Sequence, residues 1–430
     1  MGSLRLARTL ILLSVSLLLL LKSSTILAQE EEEEVDFPPL LDADDIAYFF
    51  ERNDLDGLHW ALTNVFERSD RNHDSAKIQH PLPEQLVSRG GGSTYTTAYK
   101  LKMDLEQAQY LVTQLRRDRD QEMAAFLETH VVPLYQKVLD RIPPLDQLQR
   151  TRGLYPFQPH DKQLGIEAIY NKALYAPQFG QLKDPNTGQV LPVLNPNLDL
   201  DRIQRQWMGE EQDSTPGIVV VDDILNPAAL SRIRQLLLEK TVWYQTKMPL
   251  QFGGYAGAYI DDGLNDRILL QLSMELYQAL PRIMAGHFLR YLWAYRYDAE
   301  YTGINLHADE AAVNVNLWLT PDDANLDPTS GGLVVFTAKP PPDWEFTKYN
   351  TDTDFVRDEL LKPTQFANVT IPHKQNRAVL FDSALFHQTD QYKFRKGYEN
   401  CRINLTLLYG TMQRGSSKKK NQPQSHGSEL

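Results

Sequence analysis

Two histidines and an aspartate form the pattern in this chain that is best suited to binding a metal ion. His307 and Asp309 follow a strand-like segment and are separated by one residue. Because residues i and i+2 of an extended chain lie on the same face, both side chains can point together. A second imidazole from another strand would complete a triangle of ligands, the arrangement that suits non-haem Fe(II).

His387 is the best candidate for that second imidazole, since it closely follows an apolar segment at 378–381 that could lie beside the first strand. A His-x-Asp pair by itself arises often by chance, so its interpretation depends on the neighbouring segments. The other eight of the ten histidines fall in helical segments, loops or the tail. We interpret these eight as structural or solvent-exposed residues.

A permanent positive charge follows on the next predicted strand, where Arg402 lies 15 residues beyond His387. A guanidinium forms paired hydrogen bonds with carboxylates, so Arg402 could bind the distal carboxylate of a keto-diacid. Tyr297 and Asn404 are further candidates for contacts with such a molecule. Tyr297 is alternatively a core aromatic of an inner strand, and Asn404, on the same face as Arg402, is alternatively a cross-strand structural amide.

Four segments between positions 217 and 412 combine into a wider pattern: RY at 296–297 leading into HAD at 307–309, SGGLVVF at 330–336, NRAVLF at 376–381 ahead of His387, and YENCRIN at 398–404. This combination resembles the 2-oxoglutarate and Fe(II)-dependent oxygenase superfamily, and within it the prolyl 4-hydroxylase-like branch. The resemblance implies that His307, Asp309 and His387 hold iron and that Arg402 anchors 2-oxoglutarate. It also implies a double-stranded β-helix of the jelly-roll type, with O2 as second co-substrate and ascorbate as an additional candidate cofactor.

The chain departs from the pattern of collagen-type prolyl hydroxylases at two positions. These enzymes usually have lysine where this chain has Arg402, and a turn glycine is replaced by Asn376, which also tolerates turn conformations. Both changes preserve the chemistry but weaken any transfer of substrate identity. A prolyl side chain in a protein is the first expectation for the substrate, with other peptidyl residues or a small molecule behind it.

The elements that must position these residues are short strands. Runs of β-branched and aromatic residues predict strands at 218–221, 291–297, 313–319, 333–337, 378–381 and 402–409. Either Asp223 or Asn226 can cap a helix that ends at about Lys240, and a second helix is predicted at 265–280. The segment 339–372 opens with three prolines, and we expect it to be too polar for the core and to cover a cleft. Many short strands joined by loops suggest a sandwich or jelly roll. The family resemblance implies that residues 217–412 are the Fe(II)/2-oxoglutarate dioxygenase domain.

The preceding half of the chain has a helical pattern instead. Asp42 or Asp44 can begin a helix that ends near Glu51, and Asp54 can begin a second one. A longer pattern follows, and Pro133 breaks or bends it. We therefore predict a mostly α-helical accessory domain at 42–205, a linker rich in Pro, Gly and Asn, and an α+β protein as a whole.

The first 28 residues indicate export. They contain no acidic residue, and Arg5 and Arg8 precede an apolar run at 10–21. We favour a cleaved signal peptide, while a retained signal anchor, and with it membrane attachment, stays open. Either one places the protein in the secretory pathway, in the endoplasmic reticulum or Golgi lumen or outside the cell. We expect disorder in the acidic segment 29–41 and in the tail 413–430.

Composition and charge restrict the classes of function. The 430 residues are 42% hydrophobic and 23% charged, as in globular proteins, and 44 basic against 56 acidic residues give a net charge of -12. Without clustered positive charge, we expect no nucleic-acid partner. Two alternatives to a complete enzyme stay open: a non-catalytic secreted jelly-roll binding module, and an oxygenase scaffold whose partner subunit supplies specificity while the helical half dimerises or binds peptides. A buried Arg402 discriminates against the binding module, which has no need of a cation there.

Overall fold

An antiparallel sheet lies at the centre of the structure, a computed structural model that describes residues 43–70, 95–118, 120–297 and 303–412. The strands within these residues are β1 (Tyr95–Thr96), β2 (Tyr155–Pro156), β3 (Ile218–Val221), β4 (Gln245–Thr246), β5 (Tyr255–Tyr259), β6 (Leu289–Tyr297), β7 (Val313–Trp318), β8 (Leu333–Phe336), β9 (Asn368–Ile371), β10 (Ala378–Asp382), β11 (His387–Thr389) and β12 (Arg402–Tyr409). Seven of them form the major sheet in the order β3-β10-β7-β12-β6-β5-β4. A minor sheet has the order β11-β8-β9, β1 pairs with β2, and all pairs are antiparallel.

The helices of the described residues lie mainly before and between the first strands of the major sheet. They are α1 (Ala43–Glu51), α2 (Leu55–Asp70), α3 (Ala98–Asp118), α4 (Gln121–Phe126), α5 (Val132–Leu139), α6 (Pro159–Gln163), α7 (Leu200–Met208), α8 (Pro227–Glu239), α9 (Pro249–Phe252), α10 (Arg267–Ala279), α11 (Pro281–Met284), α12 (Phe346–Thr351) and α13 (Thr353–Val356). None of the described helices is long and apolar enough to cross a membrane.

The two faces of the major sheet pack against different layers. In β10, Ala378 and Leu380 belong to the large core shared with the helices, whereas Val379 and Phe381 pack in a cluster with residues of the minor sheet. This alternation follows from the two-residue repeat of a strand. The helix side is closed mainly by α8 and α10, and the opposite side faces the minor sheet. The space between the two sheets holds the candidate site.

The helices before the sheet belong to two separate cores. Apolar residues of α1 and α2, together with Tyr99 and Met103 of α3, pack in the same core as the major sheet. The remaining apolar residues of α3 pack with α4 and α5 in a second core. The chain is thus an α+β protein with a large antiparallel sheet, consistent with a jelly roll. The assignment of residues 42–205 to a separate accessory domain stays a prediction, as does the boundary near residue 217. The predicted leader, the acidic segment 29–41 and the tail 413–430 lie outside the described residues.

Most of the strands predicted in the second half are confirmed. β3 and β12 have the predicted bounds, and Asn376 has the positive φ of 63° that its turn position requires. The prediction for the segment 339–372 needs correction in two respects. Its last residues form β9 of the minor sheet, and its residues Tyr349, Val356 and Leu361 are buried in a hydrophobic cluster. The apolar side chains of this segment are few, but they pack together in a single hydrophobic cluster with Leu306, Ala308 and Phe386.

Two glycosylation sequons, at 368–370 and 404–406, differ in their surroundings. Asn368 and Thr370 are exposed in β9, whereas Asn404 is 5% exposed on the inner face of β12. In a eukaryotic secretory host we therefore expect a glycan at Asn368 and none at Asn404, because a glycan does not fit between the sheets. Peptide mass spectrometry with glycan release reads both sites, and Asn368→Gln should abolish the modification. A glycan on Asn404 of the folded protein would show that Asn404 lies on the outer face of β12, contrary to the structure.

Candidate metal centre and cavity

Two backbone hydrogen bonds bring the candidate ligands together. The amide of His307 donates to the carbonyl of His387 at 3.0 Å, and the amide of His387 donates to the carbonyl of His307 at 2.8 Å. The amide of Asp309 then donates to the carbonyl of Ser383 at 3.1 Å. The His-x-Asp segment is therefore bound alongside β11 as an additional short strand, and the two histidines are direct cross-strand neighbours.

The three side chains converge on one point. Nε2 of His307 lies 3.7 Å from Oδ1 of Asp309, and Nε2 of His387 lies 3.4 Å from Oδ2 of Asp309. One ligand atom from each residue lies within 4.8 Å of the others, so a single ion can reach all three. Nδ1 of His307 bonds the carbonyl of Asn305 at 2.8 Å, and Nδ1 of His387 that of Leu385 at 3.1 Å. These bonds keep Nδ1 occupied and leave both Nε2 atoms for a metal.

The protonation states suit a divalent cation. Burial, together with the neighbouring His387, lowers the pKa of His307 to about 4, so this imidazole is neutral at pH 7 and its nitrogen can coordinate. Burial by itself would raise the pKa of Asp309, but hydrogen bonding to His387 and the proximity of both histidines lower it well below its usual range. The site thus combines an ionised carboxylate at Asp309 with a neutral imidazole at His307, the forms in which both groups bind a metal.

A polar pair at the edge of β7 orients the carboxylate. Nδ2 of Asn314 donates to Oδ2 of Asp309 at 2.5 Å, and Oγ of Ser383 donates to Oδ1 of Asn314 at 2.6 Å. Asn314 and Ser383 are fully buried, so this arrangement is rigid. The hydrogen bond further lowers the pKa of Asp309 and fixes the rotation of its carboxylate.

Arg402 lies at the start of β12, 2% exposed, and two of its nitrogens are paired within the protein. Nε donates to the carbonyl of Gly331 at 2.8 Å and Nη2 to that of Gly332 at 3.0 Å. Nη1 is also buried but has no hydrogen-bond partner among the described residues. The guanidinium is therefore held in place by two neutral acceptors and keeps one donor for a ligand.

The glycine at position 332 is required by close packing. A Cβ atom there would lie 2.0 Å from the carbonyl oxygen of Ile371 and 2.8 Å from the ring of Trp318. Only glycine lets the backbone approach β9 and present its carbonyl to Arg402. This gives a physical reason for the paired glycines of the SGGLVVF segment.

Tyr297 and Asn404 both line the cavity with Arg402, and Asn404 lies on the same face of its strand as Arg402, as its spacing predicts. The guanidinium of Arg402 lies over the Tyr297 ring, 4.6 Å from its centroid, and burial raises the pKa of this tyrosine while Arg402 lowers it. Asn404 donates to Oγ1 of Thr406 at 3.0 Å, and Thr406 donates to Asn316 at 2.8 Å. The amide is thus part of a structural network, but its buried Oδ1 has no hydrogen-bond partner among the described residues.

A cavity of about 750 Å³ is lined by the triad together with Arg402, Tyr297 and Asn404. One wall is aromatic and consists of Tyr255 and Tyr259 of β5 and Tyr291, Trp293, Tyr295 and Tyr297 of β6. The β6 rings occupy alternate positions, with centroids of successive rings 5.9 to 6.4 Å apart. Exposure rises along the row from 1% at Tyr297 to 42% at Tyr291, so the wall leads from the buried Arg402 end to the surface.

His373 stays apart from the metal centre, as the interpretation of the remaining histidines expects. Its ring lies against Trp318 and Phe394, with centroids 5.7 and 5.1 Å away. Burial lowers its pKa to about 3, and the nearby Arg402 acts in the same direction. The neutral ring therefore adds no second positive charge beside the guanidinium.

Sequence reasoning missed several residues of this site, among them Asn314, Asn350, Ser383 and the aromatic wall. A signal exists for the wall, because every second residue from Tyr291 to Tyr297 is aromatic. A similar signal exists for β7, where Asn314 and Asn316 alternate with valines and both side chains face the cavity. Nothing in the sequence connects Asn350, 42 residues beyond Ala308, to the metal segment.

No protein-family model matches the sequence, and no curated protein matches it. Similar solved structures include a prolyl-4-hydroxylase of Pseudomonas putida, which is 16% identical in sequence. The match covers 49% of this chain and 98% of the hydroxylase, with a TM-score of 0.31. HygX of Streptomyces hygroscopicus, solved with nickel, 2-oxoglutarate and hygromycin B bound, is 12% identical. The match covers 52% of this chain and 89% of HygX, with a TM-score of 0.33. A 2OG-Fe(II) oxygenase-family oxidoreductase of Burkholderia pseudomallei is also 12% identical. The match covers 50% of this chain and 91% of that protein, with a TM-score of 0.30.

The triad predicts one metal ion per chain. Protein purified without O2 should bind one Fe(II), and His307→Ala, Asp309→Ala and His387→Ala should each weaken binding by more than about 100-fold, because each removes one of three protein ligands. Metal analysis and titration measure this. His130→Ala, which removes an exposed imidazole elsewhere, is the matched control and should bind normally. Normal binding by all three triad variants would show that the metal site lies elsewhere.

Proposed function

We propose that the protein is an Fe(II)- and 2-oxoglutarate-dependent dioxygenase. The observation that carries this proposal is that Arg402 lines the same cavity as His307, Asp309 and His387. A buried cation is costly unless it is paired, and Nη1 of Arg402 has no hydrogen-bond partner among the described residues. The distal carboxylate of 2-oxoglutarate supplies such a partner.

The residues present fit 2-oxoglutarate at both of its ends. His307, Asp309 and His387 would hold Fe(II) with three protein ligands, which would leave the metal open to co-substrate and oxygen. Arg402 takes the other carboxylate, and its own position is fixed by the glycine carbonyls beneath it. Thr389, Tyr297 and Asn404 line the cavity with these groups, and the unpartnered Oδ1 of Asn404 is an additional acceptor.

The chemistry proposed for the site is hydroxylation. A bound Fe(II) would supply the oxygen chemistry, in which O2 would oxidise 2-oxoglutarate to succinate and CO2 and the second oxygen atom would enter a substrate C–H bond. In this proposal His307 and His387 bind the metal through Nε2, and Asp309 binds it through its ionised carboxylate. Asn314 holds that carboxylate in one rotation. Arg402 orients the co-substrate.

A non-catalytic metal-binding jelly roll is the competing class. Such a module needs the three ligands, but it has no use for a buried guanidinium that keeps a free donor in the same cavity. Arg402 therefore favours the dioxygenase. The ascorbate that the family resemblance implies would act as a supporting reductant in the same proposal.

The aromatic wall supports a peptide substrate, with a peptidyl proline as the first choice. Rows of aromatic rings bind extended, proline-rich chains, because flat rings pack against the pyrrolidine faces and indole N–H groups donate to peptide carbonyls. Trp293 lies within this row of rings and lines the cavity. A leader for export would place this activity in the secretory pathway. A small molecule that stacks on the same rings is the alternative substrate.

Oxygen incorporation tests the function directly. Wild-type protein and His307→Ala are incubated with Fe(II), 2-oxoglutarate, ascorbate and proteins of the secretory pathway, and peptides are compared by mass spectrometry. We expect mass shifts of one oxygen, concentrated on prolines, with the wild type only. Succinate release without any modified peptide would support the dioxygenase and point to a small-molecule substrate. Absence of 2-oxoglutarate-dependent succinate release under all conditions would contradict the proposal.

Arg402 should control the requirement for 2-oxoglutarate but not for metal. A hydrogen bond to a charged group contributes about 1.5–3 kcal/mol, which corresponds to about 10- to 100-fold in affinity. Arg402→Lys, which has no planar fork, should therefore raise the half-saturating 2-oxoglutarate concentration by about tenfold, and Arg402→Ala by more. Fe(II) binding should stay within about twofold, because no metal ligand is removed.

Arg296→Lys is the matched control for these variants. Arg296 is equally buried on the adjacent strand, but its side chain lies on the other face of the sheet, between Trp243 and Tyr398. This change should leave the 2-oxoglutarate requirement unaltered. If Arg402 variants behaved like Arg296→Lys, the anchor would have to be assigned to another residue.

A further inference from the structure

The connection between β8 and β9, residues 337–367, packs behind the metal segment. Leu306 and Ala308 flank His307, and Phe386 precedes His387. These three side chains pack in one hydrophobic cluster with Tyr349, Val356 and Leu361 of the connection, and Leu306 also lines the cavity. The residues next to the metal ligands are thus buried under a segment that is remote from them in the sequence.

One polar contact joins this segment to the backbone between the ligands. Oδ1 of Asn350 accepts a hydrogen bond from the amide of Ala308 at 2.8 Å, and Nδ2 of Asn350 donates to the carbonyl of Ala308 at 2.9 Å. A planar carboxamide carries one acceptor and one donor, so it satisfies both backbone groups of a single residue.

The position of this contact follows from strand geometry. His307 and His387 exchange both backbone bonds, so the N–H and C=O of the following residue point to the opposite edge. Along that edge no strand of the described residues pairs with Ala308. Asn350 therefore takes the place of a neighbouring strand, and without it two polar groups of a residue that is 2% exposed lose their partners.

We propose that Asn350 is a positioning residue of the metal site. It fixes the His-x-Asp segment on its second edge, while β11 fixes the first, so that His307 and Asp309 stay aimed at one point. Asn350 touches neither ligand side chain in the described contacts. This inference rests on the proposed role of the triad in binding a metal, and it assigns to the β8–β9 connection a function in metal affinity beyond covering the cavity.

Cobalt(II) titration of the whole protein tests the proposal, with the visible absorption of the bound ion as the readout. Asn350→Leu, which has similar size but neither donor nor acceptor, should weaken Co(II) binding by about tenfold, as loss of outer partners of metal ligands typically does. Its bound-cobalt spectrum should also change, because the ligands are no longer held in one arrangement. Thr347→Ala, at an exposed position of the same helix, is the matched control and should bind like the wild type.

Hydrogen exchange provides a second readout in the metal-free protein. The amide of Ala308 should exchange slowly in the wild type and at least about tenfold faster in Asn350→Leu, whereas amides of β12 should not change. Asn350→Gln keeps the acceptor and the donor on a longer side chain that no longer fits the contact, so it serves as the milder variant if Asn350→Leu does not fold. It should show a smaller loss of affinity than complete removal of the carboxamide.

The outcomes separate this inference from the proposed function. Wild-type affinity and an unchanged cobalt spectrum in both Asn350 variants would overturn the positioning role while leaving the metal site intact. Failure of the wild type itself to bind cobalt, or binding that survives His307→Ala, would instead reject the metal site on which the inference depends. Weakened binding with faster exchange at Ala308 supports the inference.

Discussion

The reciprocal backbone bonds between His307 and His387 are the contacts on which the candidate site depends. They make two residues that are 80 positions apart into neighbours, and the strand repeat then decides where every adjacent side chain goes. His307 and Asp309 face the cavity, while Leu306 and Ala308 on either side of His307 are buried in a hydrophobic cluster. The metal ligands are thus positioned by the same packing that closes the fold. Loss of that packing would disperse the ligands without any change in their chemistry.

The cavity has a negative charge at the metal-binding end and a positive charge at the Arg402 end, and different neighbouring groups stabilise each. At one end, Asp309 stays ionised through its polar neighbours, and burial keeps His307 neutral, which leaves a negative site for a cation. At the other end, Arg402 is fixed by neutral carbonyls and retains an unpaired donor. Both groups face one cavity, so a molecule with a metal-binding end and a carboxylate end fits both. In the proposed function that molecule is 2-oxoglutarate, and the aromatic wall is left for the substrate.

The sequence predicted those parts of the fold that depend on local patterns. β3 and β12 are dense runs of β-branched and apolar residues, so their bounds could be read directly, and the facing of Asn404 followed from its distance to Arg402. The short strands β4, β9 and β11 could not be read, because their pairing comes from distant partners rather than from their own composition. The role of Asn350 depends on the folded position of α12, and the apolar residues of that region look isolated until the chain brings them together. Tertiary contacts of this kind leave no periodicity in a sequence.

A crystal structure grown without O2 in the presence of Mn(II) and 2-oxoglutarate tests the account most directly, since Mn(II) replaces Fe(II) without supporting turnover. The account predicts one ion bound by Nε2 of His307, Nε2 of His387 and the carboxylate of Asp309, with the distal carboxylate of 2-oxoglutarate on Nη1 of Arg402. An ion bound elsewhere, or 2-oxoglutarate bound away from Arg402 while the triad holds metal, would contradict it.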